Sequence, residues 1–139
     1  PLLSDQSGRN FTRLLAGIGW RREDVFVSNA VLCNPRDAHG RNDTPTMAEI
    51  RACSPHLRDL LAILDPPYVV ALGRAALAAL ALIAPHGAEL RRDVATPVPW
   101  AGRVLVPLYH PGPRAQLHRT LAQQQQDFAR LRALVGNSC

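Results

Sequence analysis

Three short apolar runs, separated by longer segments of helical periodicity, constrain this chain most: residues 25–32 (VFVSNAVL), 68–73 (YVVALG) and 104–109 (VLVPLY). Runs of that length, β-branched and almost without polar interruption, suit strands buried on both faces of a parallel sheet. The first helix is expected over residues 9–18, where Phe11, Leu14, Leu15 and Ile18 share a face and Gly17 and Gly19 close the segment. Thr46 and Glu49 have the spacing of a capping box and open a second helix, with Ile50, Cys53, Leu57, Leu60, Leu61 and Leu64 along one side. Ser54-Pro55 predicts a kink or restart in it, and Pro66-Pro67 ends it. An alanine- and leucine-rich helix over residues 74–84 follows Gly73, and the last helix is expected to turn Leu117, Leu121, Phe128, Leu131 and Val135 inward. Residues 34–44 read as a long polar loop; residues 85–103 have no clear period, with a small hairpin conceivable around Trp100-Ala101-Gly102. The order α, β, α, β, α, β, α predicts an α/β fold: one domain over residues 1–139, three layers (α/β/α), with a central parallel sheet.

Charge narrows the partners. Sixteen basic residues, all of them arginine, stand against eleven acidic ones, for a net charge of +5. That balance favours a polyanionic partner, although an arginine-rich genome produces the same bias. The longest apolar run, residues 75–84, is far too short to span a bilayer, so no membrane is expected. Three cysteines, Cys33, Cys53 and Cys139, do not make a disulfide framework and point to a reducing cytoplasm.

In a sheet of this kind ligands bind at the C-terminal strand edges. Those edges present Asn29, Gly73 and Tyr109-His110, while the segment before the first helix supplies Asp5, Ser7 and Gly8. A carboxamide inside an apolar strand costs about 1–3 kcal/mol unless its groups are bonded. Asn29 therefore either pins the adjoining loop or offers its paired donor and acceptor to a ligand with an imide edge, such as uracil. His110 is either structural or catalytic; the Pro111-Gly112-Pro113 that follows holds it on a stiff turn, which favours function. Asp5 either favours the positive end of the first helix or serves the chemistry.

Five segments taken in order resemble the uracil-DNA glycosylase superfamily, particularly its iron-sulfur families 4 and 5. They are PLLSDQSG (1–8), VFVSNAVLCNP (25–35), Thr44-Pro45-Thr46 with Glu49 and Cys53, VVALG (69–73) and LYHPGP (108–113). The resemblance implies a base-excision repair enzyme that removes uracil, or a related deaminated base, from DNA. On it, His110 bonds uracil O2 and stabilises the departing base anion, Asn29 reads the uracil edge and refuses cytosine, and Asp5 orients water or serves the sugar. Leu2 packs on the base where relatives carry an aromatic ring. Ser7, Gly8 and the loop Pro111, Gly112, Pro113 and Arg114 meet the DNA; relatives often carry serine at the position of Gly112 and can carry leucine at that of Arg114. Either the loop wedges into the gap left by an extruded base or Arg114 stacks there.

The same resemblance makes Cys33 and Cys53 two of the four thiolates of a possible [4Fe–4S] cluster in the complete protein, the other two coming from an upstream CxxC. The alternative for Cys53 is a buried apolar contact. A first strand and a glycine-rich motif are also implied before Pro1, so the domain is expected to be incomplete at its N-terminus and the fragment inactive alone. The expected partner is uracil-containing DNA, with the chain acting as a monomer. Two other classes compete: a non-catalytic module that recognises damaged DNA, and an unrelated α/β domain that binds a nucleotide or an acidic protein. The absence of GxGxxG and Walker motifs counts against common nucleotide folds.

Overall fold

The computed structural model describes residues 6–28 and 46–136, apart from the side chain of Cys53. Helix α1 runs Gln6–Ala16, α2 Met47–Leu64, α3 Arg74–Ile83, α4 Leu90–Asp93 and α5 Leu121–Gly136; strands are β1 Tyr68–Leu72, β2 Val98–Trp100 and β3 Arg103–Leu108. The expected capping box forms: Thr46 Oγ1 accepts from Glu49 N at 3.2 Å, and Thr46 N donates to Glu49 Oε1 at 3.1 Å. At Pro55 the helix neither stops nor restarts. Proline cannot donate to the Arg51 carbonyl one turn back, and the Ser54 hydroxyl donates there instead at 3.0 Å.

The sheet order is β1-β3-β2. β1 and β3 are parallel, with Tyr68 opposite Val104 and Leu72 opposite Leu108, as a crossover through α3 requires. β2 pairs antiparallel with β3, so the sheet is mixed and the expectation of a parallel one is corrected. The cause lies in the unassigned stretch: Ala101 (φ 51°) and Gly102 (φ 74°) make the two-residue left-handed turn that matches strand twist, and the chain folds back as a hairpin. Residues 25–28 carry no strand pairing, and Phe26 is 65% exposed; the rest of that expected strand lies outside the described residues.

Alternation along β3 divides the core. Val106 and Leu108 pack on one face with Phe11, Leu14, Leu15 and Ile18 of α1 and Phe128 and Leu131 of α5. Phe11 and Phe128 meet edge to face, 6.1 Å between centroids. Leu105 faces the opposite way, with Ala71, Leu77, Leu80, Leu90 and Trp100. Helix α2 packs over α3 through Ile50 and Ala79. Helices thus cover both faces of the sheet, the three-layer arrangement expected of an α/β chain. Leu117, expected inward, is 83% exposed because α5 starts only at Leu121 and Leu117 ends a preceding 3-10 turn. Among the described residues no helix is long and apolar enough to cross a membrane.

Candidate active site

The parallel pairing of β1 and β3 ends in register, which brings Gly73 and His110 to one margin. Gly73 N donates to Leu108 O at 2.8 Å. Gly73 has φ +94°, a left-handed value that favours glycine, and a side chain there would begin 3.3 Å from His110 Cβ. Glycine therefore permits both the turn into α3 and the approach of the histidine. Arg74 opens α3 immediately after it and is exposed.

His110 is itself exposed, while Pro111 and Gly112 behind it are buried. The turn they make is gripped by α1. Asn10 Nδ2 donates to Pro111 O at 2.7 Å, and Asn10 Oδ1 accepts from Gln6 Nε2 at 2.8 Å. At Gly112 a Cβ would lie 2.9 Å from Ser7 Oγ and 3.0 Å from His110 Nδ1, so the hydroxyl and the imidazole nitrogen close around a position that has room only for hydrogen. Gly8 is buried beside Ser7 on the same helix. Pro113 and Arg114 are exposed, and Ala115 N returns to Gly112 O at 3.2 Å to start the 3-10 turn.

A second brace holds the far end of this loop. Arg119 donates from Nε and Nη2 to Asp127 Oδ2 and Oδ1 at 2.7 and 2.6 Å, and its guanidinium lies 5.7 Å from the centre of the Tyr109 ring. Asp127 is 2% exposed. The hydrogen bond to Asp127 raises the Arg119 pKa above its ordinary value, against the opposing effect of burial. Gln124 Nε2 caps the same segment by donating to Arg119 O at 3.0 Å.

The structure thus brings Ser7, Gly73, His110 and Gly112 together, with Pro111 behind them and Arg114 at the rim. Leu2, Asp5, Asn29 and Cys33 lie outside the described residues, as do their expected roles; Cys53 falls on α2. Among the described residues no three histidine, cysteine or acidic groups gather as metal ligands. Sequence reasoning missed Asn10, Gln6, Arg119 and Asp127. Asn10 left a readable signal, a carboxamide on the apolar stripe of Phe11, Leu14 and Leu15, whereas Asp127 left none, because its partner comes from a loop without periodicity.

Comparison with known proteins bears on this arrangement. The chain is 34% identical over 116 residues to a type-4 uracil-DNA glycosylase of Thermotoga maritima, covering 77% of this chain and 57% of that protein. It is 32% identical over 139 residues to the type-4 uracil-DNA glycosylase of Pyrobaculum aerophilum (90% and 68%), and 28% identical over 135 residues to that of Archaeoglobus fulgidus (94% and 66%). The chain thus spans little more than half the length of the first of these relatives and about two thirds of the other two. Residues 2–134 match the sequence profile of the uracil DNA glycosylase superfamily, and the chain belongs to that family.

Proposed function

We propose that the protein is a DNA-repair glycosylase that hydrolyses the N-glycosidic bond of uracil, or a related deaminated base, in DNA. The observation that carries this reading is the meeting of His110, Ser7, Gly73 and Gly112 at one strand margin in a chain of this superfamily. As the bond from C1′ to N1 breaks, the electron pair leaves with the base and negative charge gathers on its O2. The imidazole of His110 donates a hydrogen bond there, where it is worth more in the transition state than in the ground state. The carboxylate of Asp5 orients the water that adds to the cationic sugar and takes up its proton. Asn29 accepts from N3–H and donates to O4, a pattern that cytosine reverses. Leu2 packs on the base.

The base must first leave the stack, at a cost of a few kcal/mol, and the loop of Pro111, Gly112, Pro113 and Arg114 enters the gap. Ser7 and Gly8 approach the backbone, with Arg114 and Arg74 as cations within the same margin and a net charge of +5 behind them. Cys33 and Cys53 provide soft thiolate donors of the kind an iron-sulfur cluster takes, two of the four it needs. Such a cluster would be held in part by Cys33 and Cys53 and would serve as a structural cross-link, with no step of the reaction depending on it. The reading is of a monomer that works in the cytoplasm.

Incubation of the complete protein with matched oligonucleotides containing uracil or thymine tests this. Release of free uracil from the first alone is expected. Tight retention without release overturns catalysis in favour of a damage-binding module, and indifference between the two oligonucleotides overturns both.

A further inference from the structure

Asn10 occupies a place where a carboxamide is costly. It is 2% exposed on the face of α1 that buries Phe11, Leu14 and Leu15, and such a group is tolerated there only when bonded. Its donor goes to the carbonyl of Pro111, 101 residues away along the chain and one peptide beyond His110. Its acceptor is taken by Gln6, one helical turn earlier, which leaves the amide nitrogen facing Pro111. The turn needs an outside hold, because prolines at 111 and 113 remove two of the four backbone donors in residues 110–113. We propose that Asn10, oriented by Gln6, is a positioning residue that fixes the His110-Pro111-Gly112 turn and thereby the stance of the imidazole. This rests on the reading of His110 as the group that meets the base.

The geometry makes the coupling short. Pro111 has its φ fixed by its ring, so holding its carbonyl leaves the peptide behind His110 little freedom to rotate. On the other side, Ser7 Oγ and His110 Nδ1 both lie within 3.0 Å of the Gly112 Cβ position, closer than ordinary contact, and Ser7 belongs to the same turn of α1 as Gln6 and Asn10. The first turns of α1 thus set the height of the imidazole above the sheet margin. Displacements near 1 Å at a reacting group cost about a hundredfold in rate.

The test compares the complete protein as wild type, Asn10→Leu and Gln6→Ala by steady-state uracil release. It also follows the ring resonances of isotope-labelled histidine, with His110→Gln identifying the His110 signals. Asn10→Leu is expected to lower kcat about ten- to a hundredfold with KM changed less than about threefold, and to move or broaden the His110 signals while the other histidines stay in place. Gln6 is exposed, so Gln6→Ala keeps the fold and is expected to act in the same direction by about two- to fivefold. Unchanged kcat and unchanged His110 signals in both variants overturn the proposal; if Asn10→Leu fails to fold, Gln6→Ala decides by the same two measurements. A wild-type protein that releases no uracil while Asn10→Leu still displaces the His110 signals upholds the positioning and overturns the assigned reaction.

Discussion

Replacing Gly112 with alanine sets a methyl group where two polar atoms already stand. The new Cβ meets Ser7 Oγ at 2.9 Å and His110 Nδ1 at 3.0 Å, against 3.4–4 Å for ordinary contact, so each neighbour must retreat by about half an ångström. Overpacking of a filled site costs about 1–3 kcal/mol. His110 lies at the exposed margin, while Ser7 is 6% exposed and must turn its hydroxyl within a packed helix face, which places the loss at the low end of that range, near 1 kcal/mol. In a chain of this size that is about 3–5 °C in melting temperature. The discriminating measurement is a double-mutant cycle by urea unfolding with Gly112→Ala, Ser7→Ala and both together. Removing Ser7 Oγ vacates half of the crowded space, so the pair is expected to be more stable than the sum of the single losses by about 0.5 kcal/mol or more. Simple additivity would falsify the idea that residues 7 and 112 share that volume. Uracil release should follow a different course: Gly112→Ala lowers it even in the double variant, since the imidazole is still displaced.

Arg119→Met leaves the Asp127 carboxylate buried without its cation. Because the Arg119 side chain retains 24% exposure, the loss is expected at the low end for a broken buried pair, about 3 kcal/mol by urea unfolding, and a loss under about 1 kcal/mol contradicts it. At Asp93, the hydrogen bond from Arg92 and that from Glu89 N hold the carboxyl below its ordinary value of 3.8. A carboxyl lowered on folding stabilises above its unfolded pKa, and the contribution is lost as pH falls through the folded one. Melting temperatures followed from about pH 6 to about pH 2 should fall less steeply for Asp93→Asn than for wild type, and parallel curves remove the claim. Asn29→Asp is expected to reduce uracil release about tenfold or more and to admit cytosine, with an unchanged melting curve. Lower stability with the same base preference assigns Asn29 a structural role instead.

Much of the architecture could be read from the chain because each signal was local. The Thr46–Glu49 box and the strand-glycine-helix passage at Gly73 declare themselves within a few residues and formed as read; the apolar stripe of α1 was equally legible, but the helix runs Gln6–Ala16 rather than 9–18 and takes in Ser7 and Gly8, which were expected before it. The hairpin from β2 to β3 was harder. Its strand Val98–Trp100 has three residues and a proline, too few for alternation to register, so its presence and the mixed sheet emerge only from pairing with β3. Leu117 was misplaced because its spacing continued the apolar series of α5, although a 3-10 turn separates it from that helix. At the site, His110 and Gly112 could be singled out by their prolines. The grip on them could not, since the bond from Asn10 joins residues 101 positions apart and no periodicity spans that distance.

The hairpin also governs what the sheet can join. Among the described residues β2 is the outer strand on its side, and Pro99 stands at its centre, exposed and without an amide proton. An incoming strand would find an incomplete row of donors along three residues, too little to template a ladder. Among the described residues, that flank therefore offers little for strand-by-strand growth between copies through β2.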